Sequence, residues 1–205
     1  MAKKVFVSFR FSDGKIYKDR LCELFDSQDI IDCSENEDRS KMTEETIKNY
    51  LYNKLKRTSI TIVLLTPEAI DYQKNIFGII DDWLYDELKY SLEDREENRT
   101  NGVIALYTPE AKDLLLEEEI HKCDKCNKEK KVIIIKEFNN LVRKNMMNVK
   151  NEYKQSLCNN VFDALEDSYC SLIPFNNFLD NMNFYIENAI NKRNRKDEFN
   201  LTKRM

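Results

Sequence analysis

Trp83 and Glu87 stand four residues apart in the run Asp81-Asp82-Trp83-Leu84-Tyr85-Asp86-Glu87-Leu88. On a helix that spacing sets the indole and the carboxylate one above the other, a ring and an acid that together can wall a pocket. The same spacing also fits a tryptophan at the edge of a core beside a solvated glutamate. Other chemistry is limited by residue type. The three glycines, Gly14, Gly78 and Gly102, lie far apart, so neither common glycine-rich loop that cradles a phosphate can form. His121 is the single histidine, which limits Ser-His-Asp, Cys-His and histidine-rich metal sites. Chemistry then falls to carboxylates, arginine and aromatics.

Two further clusters have bland readings. His121-Lys122-Cys123-Asp124-Lys125-Cys126 looks like half of a zinc site that Cys158 or Cys170 could complete, but a second C-x-x-C is missing. We read these as surface thiols of a charged insertion and expect no metal. Lys192-Arg193-Asn194-Arg195-Lys196 is a short basic run that reads as a solvated helix end. The chain carries a formal net charge of −4 and a pI near 5.3, which argues against a nucleic-acid partner held by bulk charge. No apolar stretch approaches the roughly 20 residues that cross a bilayer, so no membrane partner is expected. Six cysteines at irregular positions, and a start, Met1-Ala2-Lys3-Lys4, that runs straight into a strand-like segment, lead us to expect a reducing, cytoplasmic setting.

The elements that must position these residues alternate. Val5–Phe9, Ile30-Ile31, Ile60–Leu65, Val103–Tyr107 and Val132–Ile135 are short apolar runs. Between them, Tyr17, Leu21, Leu24 and Phe25, then Ile47, Leu51 and Leu55, then Ile80, Leu84, Leu88 and Leu92 recur at helical spacing. Arg10–Gly14 reads as a loop, Ser34–Met42 as another, Thr43 as a helix cap, and Ile79 onward as the start of the helix carrying Trp83. Five runs separated by helices predict an α/β fold, a flavodoxin-like open parallel sheet of about five strands with flanking helices, whose ligands bind outside the carboxyl ends of the strands. Residues 1–150 form the sheet domain, with a charged insertion at about 110–131 in which Leu114-Leu115-Leu116 and Glu117–Glu119 read as one helix. Beyond about Lys150 the pattern reads as helical only (Leu157, Val161, Leu165, then Phe178, Met182, Tyr185, Ile186 and Ile190), so residues 151–205 are expected to be a helical extension packed on it. No internal repeat is apparent.

In order, Val5-Phe6-Val7-Ser8-Phe9-Arg10, Asp32, Ser59–Leu65 ending in Thr66-Pro67, and Asp82-Trp83-Leu84-Tyr85-Asp86-Glu87-Leu88 resemble the Toll/interleukin-1 receptor (TIR) domain. In that family the first strand reads roughly [VI]-F-[IV]-S-[YF], the third ends in S/T-P, and a W-x-x-x-E pair opens the next helix. The resemblance covers about residues 3–136. It is closest to NAD-consuming TIR domains, and among them to the TIR-like proteins of the bacterial Thoeris anti-phage system. It implies that Glu87 is the catalytic glutamate, that Trp83 packs beside the nicotinamide pocket, and that Arg10 matches a position often basic in NAD-cleaving members. Ser8, Phe9 and Asp13 complete the candidate substrate-binding set, although Asp13 also fits a turn or cap before the first helix and Ser8 also fits simple packing. Ser34–Met42 corresponds to the BB loop and lacks the glycine often found there.

The implied activity is NAD+ glycohydrolase or cyclase, with NAD+ as substrate and no cofactor, making a soluble nucleotide signal for a partner effector that senses it, and self-association through TIR surfaces. The nicotinamide leaving group needs no general acid, so one carboxylate near the ribose can stabilise the oxocarbenium-like state. Trp83 offers a ring face and Arg10 a charge-assisted bond to the pyrophosphate. Two alternatives remain at this level: a non-catalytic TIR interaction module, and a nucleoside deoxyribosyltransferase-like enzyme on a similar sheet.

Overall fold

The continuous apolar runs become strands because each is rich in β-branched residues and long enough to cross a sheet buried on both faces. The computed structural model describes residues 3–26, 30–32, 44–94, 99–122, 129–154 and 161–205. In chain order its elements are β1 (Lys3–Ser8), α1 (Phe11–Asp26), β2 (Ile30–Asp32), α2 (Glu44–Leu55), β3 (Ile60–Leu65), α3 (Trp83–Leu92), β4 (Gly102–Tyr107), α4 (Lys112–Leu115), β5 (Leu116–Lys122), β6 (Glu129–Ile135), α5 (Leu141–Lys144), β7 (Cys170–Pro174), α6 (Phe175–Asp180) and α7 (Met182–Asn194). Five strands form one parallel sheet in the order β2-β1-β3-β4-β7, as the α/β expectation required.

Strand alternation divides β3 between two cores. Ile60, Ile62 and Leu64 join Val5, Val7, Leu21 and Phe25 together with Phe178, Met182 and Ile186 of the C-terminal helices. Val63 and Leu65 face Leu84, Leu88 and Leu92 of α3, with Leu141, Val142 and Tyr169. The helical stripes predicted for α1 and α3 therefore are the buried ones. Under α3 a buried polar set anchors the helix to β3: Thr61 and Ser91 hydroxyls lie 2.7 Å apart, and the Asn101 amide donates to Thr58 Oγ1 and Thr61 Oγ1.

Several expectations are corrected. Val132–Ile135 is not a strand of the parallel sheet; it lies in β6, which pairs antiparallel with β5 in a separate two-stranded ribbon. A run of β-branched residues favours extension without deciding which sheet it joins. The fifth strand is β7, from the stretch read as helical only. Val161 and Leu165 there are in no helix, and Leu157 lies outside the described residues, whereas α6 and α7 carry the predicted Phe178, Met182 and Ile186. Leu114–Leu116 and Glu117–Glu119 are not one helix: α4 ends at Leu115, which is buried, and Leu116 begins β5. Phe11–Gly14 is the first turn of α1, not a loop, and Gly14 N donates to Arg10 O at 2.8 Å. The Ser34–Met42 loop and Thr43 lie outside the described residues.

The basic run is a solvated end only in part: Asn194 and Arg195 are exposed, but the two residues before them are tied into the fold. Lys192 is buried, and its Nζ donates to Leu165 O (2.9 Å), Ser168 O (2.8 Å) and Ser171 Oγ, while Arg193 Nε donates to Thr100 O at 2.8 Å. The lysine bonds tie α7 to the chain around β7, and the arginine bond ties it to the residues just before β4. Burial pulls the Lys192 pKa down from 10.5 to about 8. The unfolded chain then binds more protons between pH 8 and 10.5, so this group makes stability rise with pH across that window. Relative to Lys192→Met, the wild-type chain is expected to gain on the order of 3 kcal/mol between those limits, read by urea unfolding at each pH. Parallel curves for the two proteins would contradict this.

The start of β4 passes so close to α7 that a Cβ built on Gly102 would sit 2.5 Å from Ala189 O and 2.9 Å from its carbonyl carbon. Backbone cannot yield as a side-chain tip can. Gly102→Ala is expected to cost about 2–3 kcal/mol, lowering the thermal midpoint by roughly 4–12 °C. An unchanged midpoint would show that α7 shifts freely.

Candidate active site

β3 and β4 end in the same tetrapeptide, Thr66-Pro67-Glu68-Ala69 and Thr108-Pro109-Glu110-Ala111. In both, the threonine is extended and the proline opens a single 3-10 turn, since proline has the right φ and no N–H to waste. Both glutamates reach across the carboxyl edge of the sheet to α1. Glu68 Oε2 accepts from Ser12 Oγ, and Glu110 Oε2 accepts from Tyr17 OH at 2.6 Å. Burial and the neighbouring Glu110 push the Tyr17 phenol up to about 12, and the same hydrogen bond holds Glu110 below the usual carboxylate range. Asp13 completes the tether: its Oδ1 accepts from Thr66 Oγ1 at 2.7 Å and its Oδ2 from Glu68 N at 3.0 Å. Both Asp13 oxygens thus bind the end of β3.

The chain then makes a long excursion before α3. Asn75 N donates to Ile79 O (2.9 Å), Lys74 bridges Ile80 antiparallel, and Gly78 takes φ +74° at the turn, a conformation glycine reaches without strain. Ile79–Asp82 is consequently extended, not helical as expected. The helix begins at Trp83 because Asp82 caps it, with Oδ1 accepting from Leu84 N at 3.0 Å.

Asp82 does more than cap. Its side chain is fully buried, its Oδ2 accepts from Gln73 N at 2.7 Å, and it forms an ion pair with Arg10 Nη2. Arg10 Nε donates to Glu68 O at 2.8 Å. The guanidinium placed just after β1 is therefore held between the turn after β3 and the cap of α3. Neither Asp82 nor Glu68 was singled out from sequence, though an Asp immediately before a helical run is a legible cap signal and the duplicated Thr-Pro-Glu-Ala marks two equivalent strand ends.

One turn into α3, Glu87 comes back over the end of β1. Ser8 Oγ donates to Glu87 Oε2 at 2.5 Å, with both residues buried. Phe9 is at the edge of the core, its ring 4.7 Å from that of Phe11 and its Cβ 3.2 Å from where a Cβ on Gly14 would lie. Trp83 keeps 37% of its surface exposed, so the rim reading of this residue fits better than deep burial. Two hydrogen-bonded groups thus lie at the carboxyl edge of β1 and β3, the Ser8–Glu87 pair and the set in which Arg10 and Asp13 both bind the Glu68 backbone, where an open α/β sheet binds its ligands. Of the proposed zinc ligands, His121 lies on β5, Cys170 is buried on β7 with its thiol pushed up by burial, and Cys123, Cys126 and Cys158 lie outside the described residues.

The family model described as "Thoeris protein ThsB, TIR-like domain" matches residues 6–113. The chain belongs to this family. The ThsB match runs from β1 into α4 and so contains every candidate residue from Ser8 to Glu87, while β5, β6 and the sheet's last strand follow it. Membership of the ThsB family places the protein in Thoeris anti-phage defence, with an effector acting downstream. No helix among the described residues is long and apolar enough to cross a membrane.

Proposed function

We propose that this ThsB-family chain cleaves the nicotinamide–ribose bond of NAD+ and releases an ADP-ribose-derived, cyclic nucleotide that activates the downstream effector. The observation that carries this reading is the Ser8–Glu87 pair, a buried carboxylate held by a buried hydroxyl at the ligand-binding edge of the sheet. In the step, the C1′–N bond breaks and its electron pair goes to the nicotinamide nitrogen, which becomes neutral. The positive charge left on the ribose is stabilised by Glu87, fixed in place so that little reorganisation is needed. A nucleophile then adds to C1′ and loses its proton. Adenine or a hydroxyl of the same molecule gives the cyclic product, and water gives ADP-ribose.

Trp83 lies one turn before Glu87, where its partly exposed ring can stack on the base. Two of the five Arg10 N–H donors go to Asp82 and Glu68; contact with the pyrophosphate uses the others. The purified chain should release nicotinamide from NAD+, alone or after addition of phage-infected lysate, with the nucleotide product identified by mass spectrometry. NAD+ that stays intact under both conditions would leave a binding module in place of an enzyme.

A further inference from the structure

The β5–β6 ribbon serves nothing in the site and follows the matched family segment. We propose that the outer edge of β6 is a self-association surface, onto which a second copy of this chain adds its own β6 in antiparallel orientation.

The direction of the backbone groups comes first. Beside the Leu116↔Ile135 pair, Lys136 N donates inward to Leu115 O at 2.8 Å, whereas Ile135 O faces away from β5 and accepts from Arg143 Nη2 at 3.3 Å. Antiparallel ladders alternate, so Lys131 and Ile133, in phase with Ile135, also turn their N–H and C=O outward. Among the described residues no strand pairs with that edge; Arg143 covers only its root. A two-stranded ribbon is marginal alone, and three or more strands are the usual requirement.

The side chains point the same way. β6 ends in Val132-Ile133-Ile134-Ile135, a β-branched run of the kind natural edges avoid. Ile133 is 63% exposed, and Ile120, its diagonal neighbour on the same face, is 78% exposed. A second ribbon would continue that apolar face.

Charge selects the occupant and the edge. With a two-fold axis at Val132, Lys131 of one copy stands opposite Ile133 of the other, so this lysine meets no like charge across the seam. The β5 edge carries Glu117, Glu118 and Glu119, and self-pairing there would set these carboxylates against their mates, which is unfavourable. The result is an isologous, closed contact, with a four-stranded ribbon between two sheet domains.

Light scattering of the full chain over a dilution series tests this. The wild-type mass should rise with concentration from 24.5 kDa toward twice that value. Ile133→Pro should remain monomeric with its circular dichroism unchanged, because the N–H it removes is the outward one and the ribbon's own ladder is spared. Ile133→Lys, which leaves the backbone intact and sets lysines near one another across the axis, should do the same if the proline variant fails to fold. Amide exchange at Lys131 and Ile133 should slow as the wild-type protein is concentrated. A wild-type chain that is monomeric throughout, variants that associate as the wild type does, or association that leaves those two amides unprotected would each overturn the proposal.

Discussion

Glu87→Gln is expected to slow nicotinamide release from NAD+ by about 10²- to 10³-fold while leaving the fold intact. The substitution is nearly isosteric, and the amide carbonyl can still accept the hydrogen bond from Ser8 Oγ, so the helix and the end of β1 keep their contact. What is lost is the negative charge that the proposed reaction requires beside the ribose. A preorganised group of this kind lowers the barrier by on the order of 3–4 kcal/mol, which corresponds to the stated range. Ser8→Ala should have a smaller effect, about tenfold in kcat, because it loosens the carboxylate without removing it. The measurement is single-turnover nicotinamide release under activating conditions, with the thermal midpoint recorded in parallel. Full activity in Glu87→Gln would remove this residue from the chemistry.

Asp82→Ala should be the most damaging substitution outside the reacting group. It deletes the α3 cap, at about 1 kcal/mol, and leaves the Gln73 N–H and the Arg10 guanidinium without their buried acceptor. Losing one partner of a buried pair costs about 3–5 kcal/mol, an upper limit here because the Arg10 side chain is 14% exposed. A loss of about 3 kcal/mol in urea unfolding is the expected outcome. Asp82→Asn separates the two roles, since asparagine caps equally well but does not neutralise Arg10. It should recover the cap's share of stability and still bind NAD+ poorly if Arg10 must be held in place. Equal stability of the alanine variant and the wild type would mean that the excursion before α3 is fixed by other contacts.

The parts of the fold legible in the sequence are those where one physical requirement produces one pattern. Ile60–Leu65 must be buried on both faces, and only a continuous apolar run meets that need. α3 buries Leu84, Leu88 and Leu92 along one stripe, which helical spacing showed, whereas its buried Tyr90 packs elsewhere, with Phe6, Leu51 and Leu55. β7 escaped because Cys-Ser-Leu-Ile-Pro is brief, contains a hydroxyl, and ends in a proline whose missing N–H an edge strand tolerates. Val132–Ile135 misled for the opposite reason: its β-branched run is compatible with a central strand and with the bare edge of a ribbon, and only tertiary pairing distinguishes them. At the site, the Trp83–Glu87 spacing and the resemblance of the first strand located Ser8 and Glu87. The Arg10–Asp82 pair was not legible, since the two residues are 72 positions apart and nothing local in either segment announces the other.

The late position of β7 gives the protein a timing problem during its synthesis. Tyr107 pairs with Pro174, 67 residues later. At translation rates of about 5–20 residues per second, β4 leaves the ribosome roughly 3–13 s before its neighbour has been made. For that interval the apolar strand Gly102–Tyr107 has an open flank, and Ile104 and Leu106 await Ile186 and Phe178, their companions in one core. The nascent chain must therefore pass through a stage at which its ThsB-family segment is complete in sequence but its sheet is not. Slower elongation, or a crowded polysome, would lengthen that exposure and favour aggregation over closure.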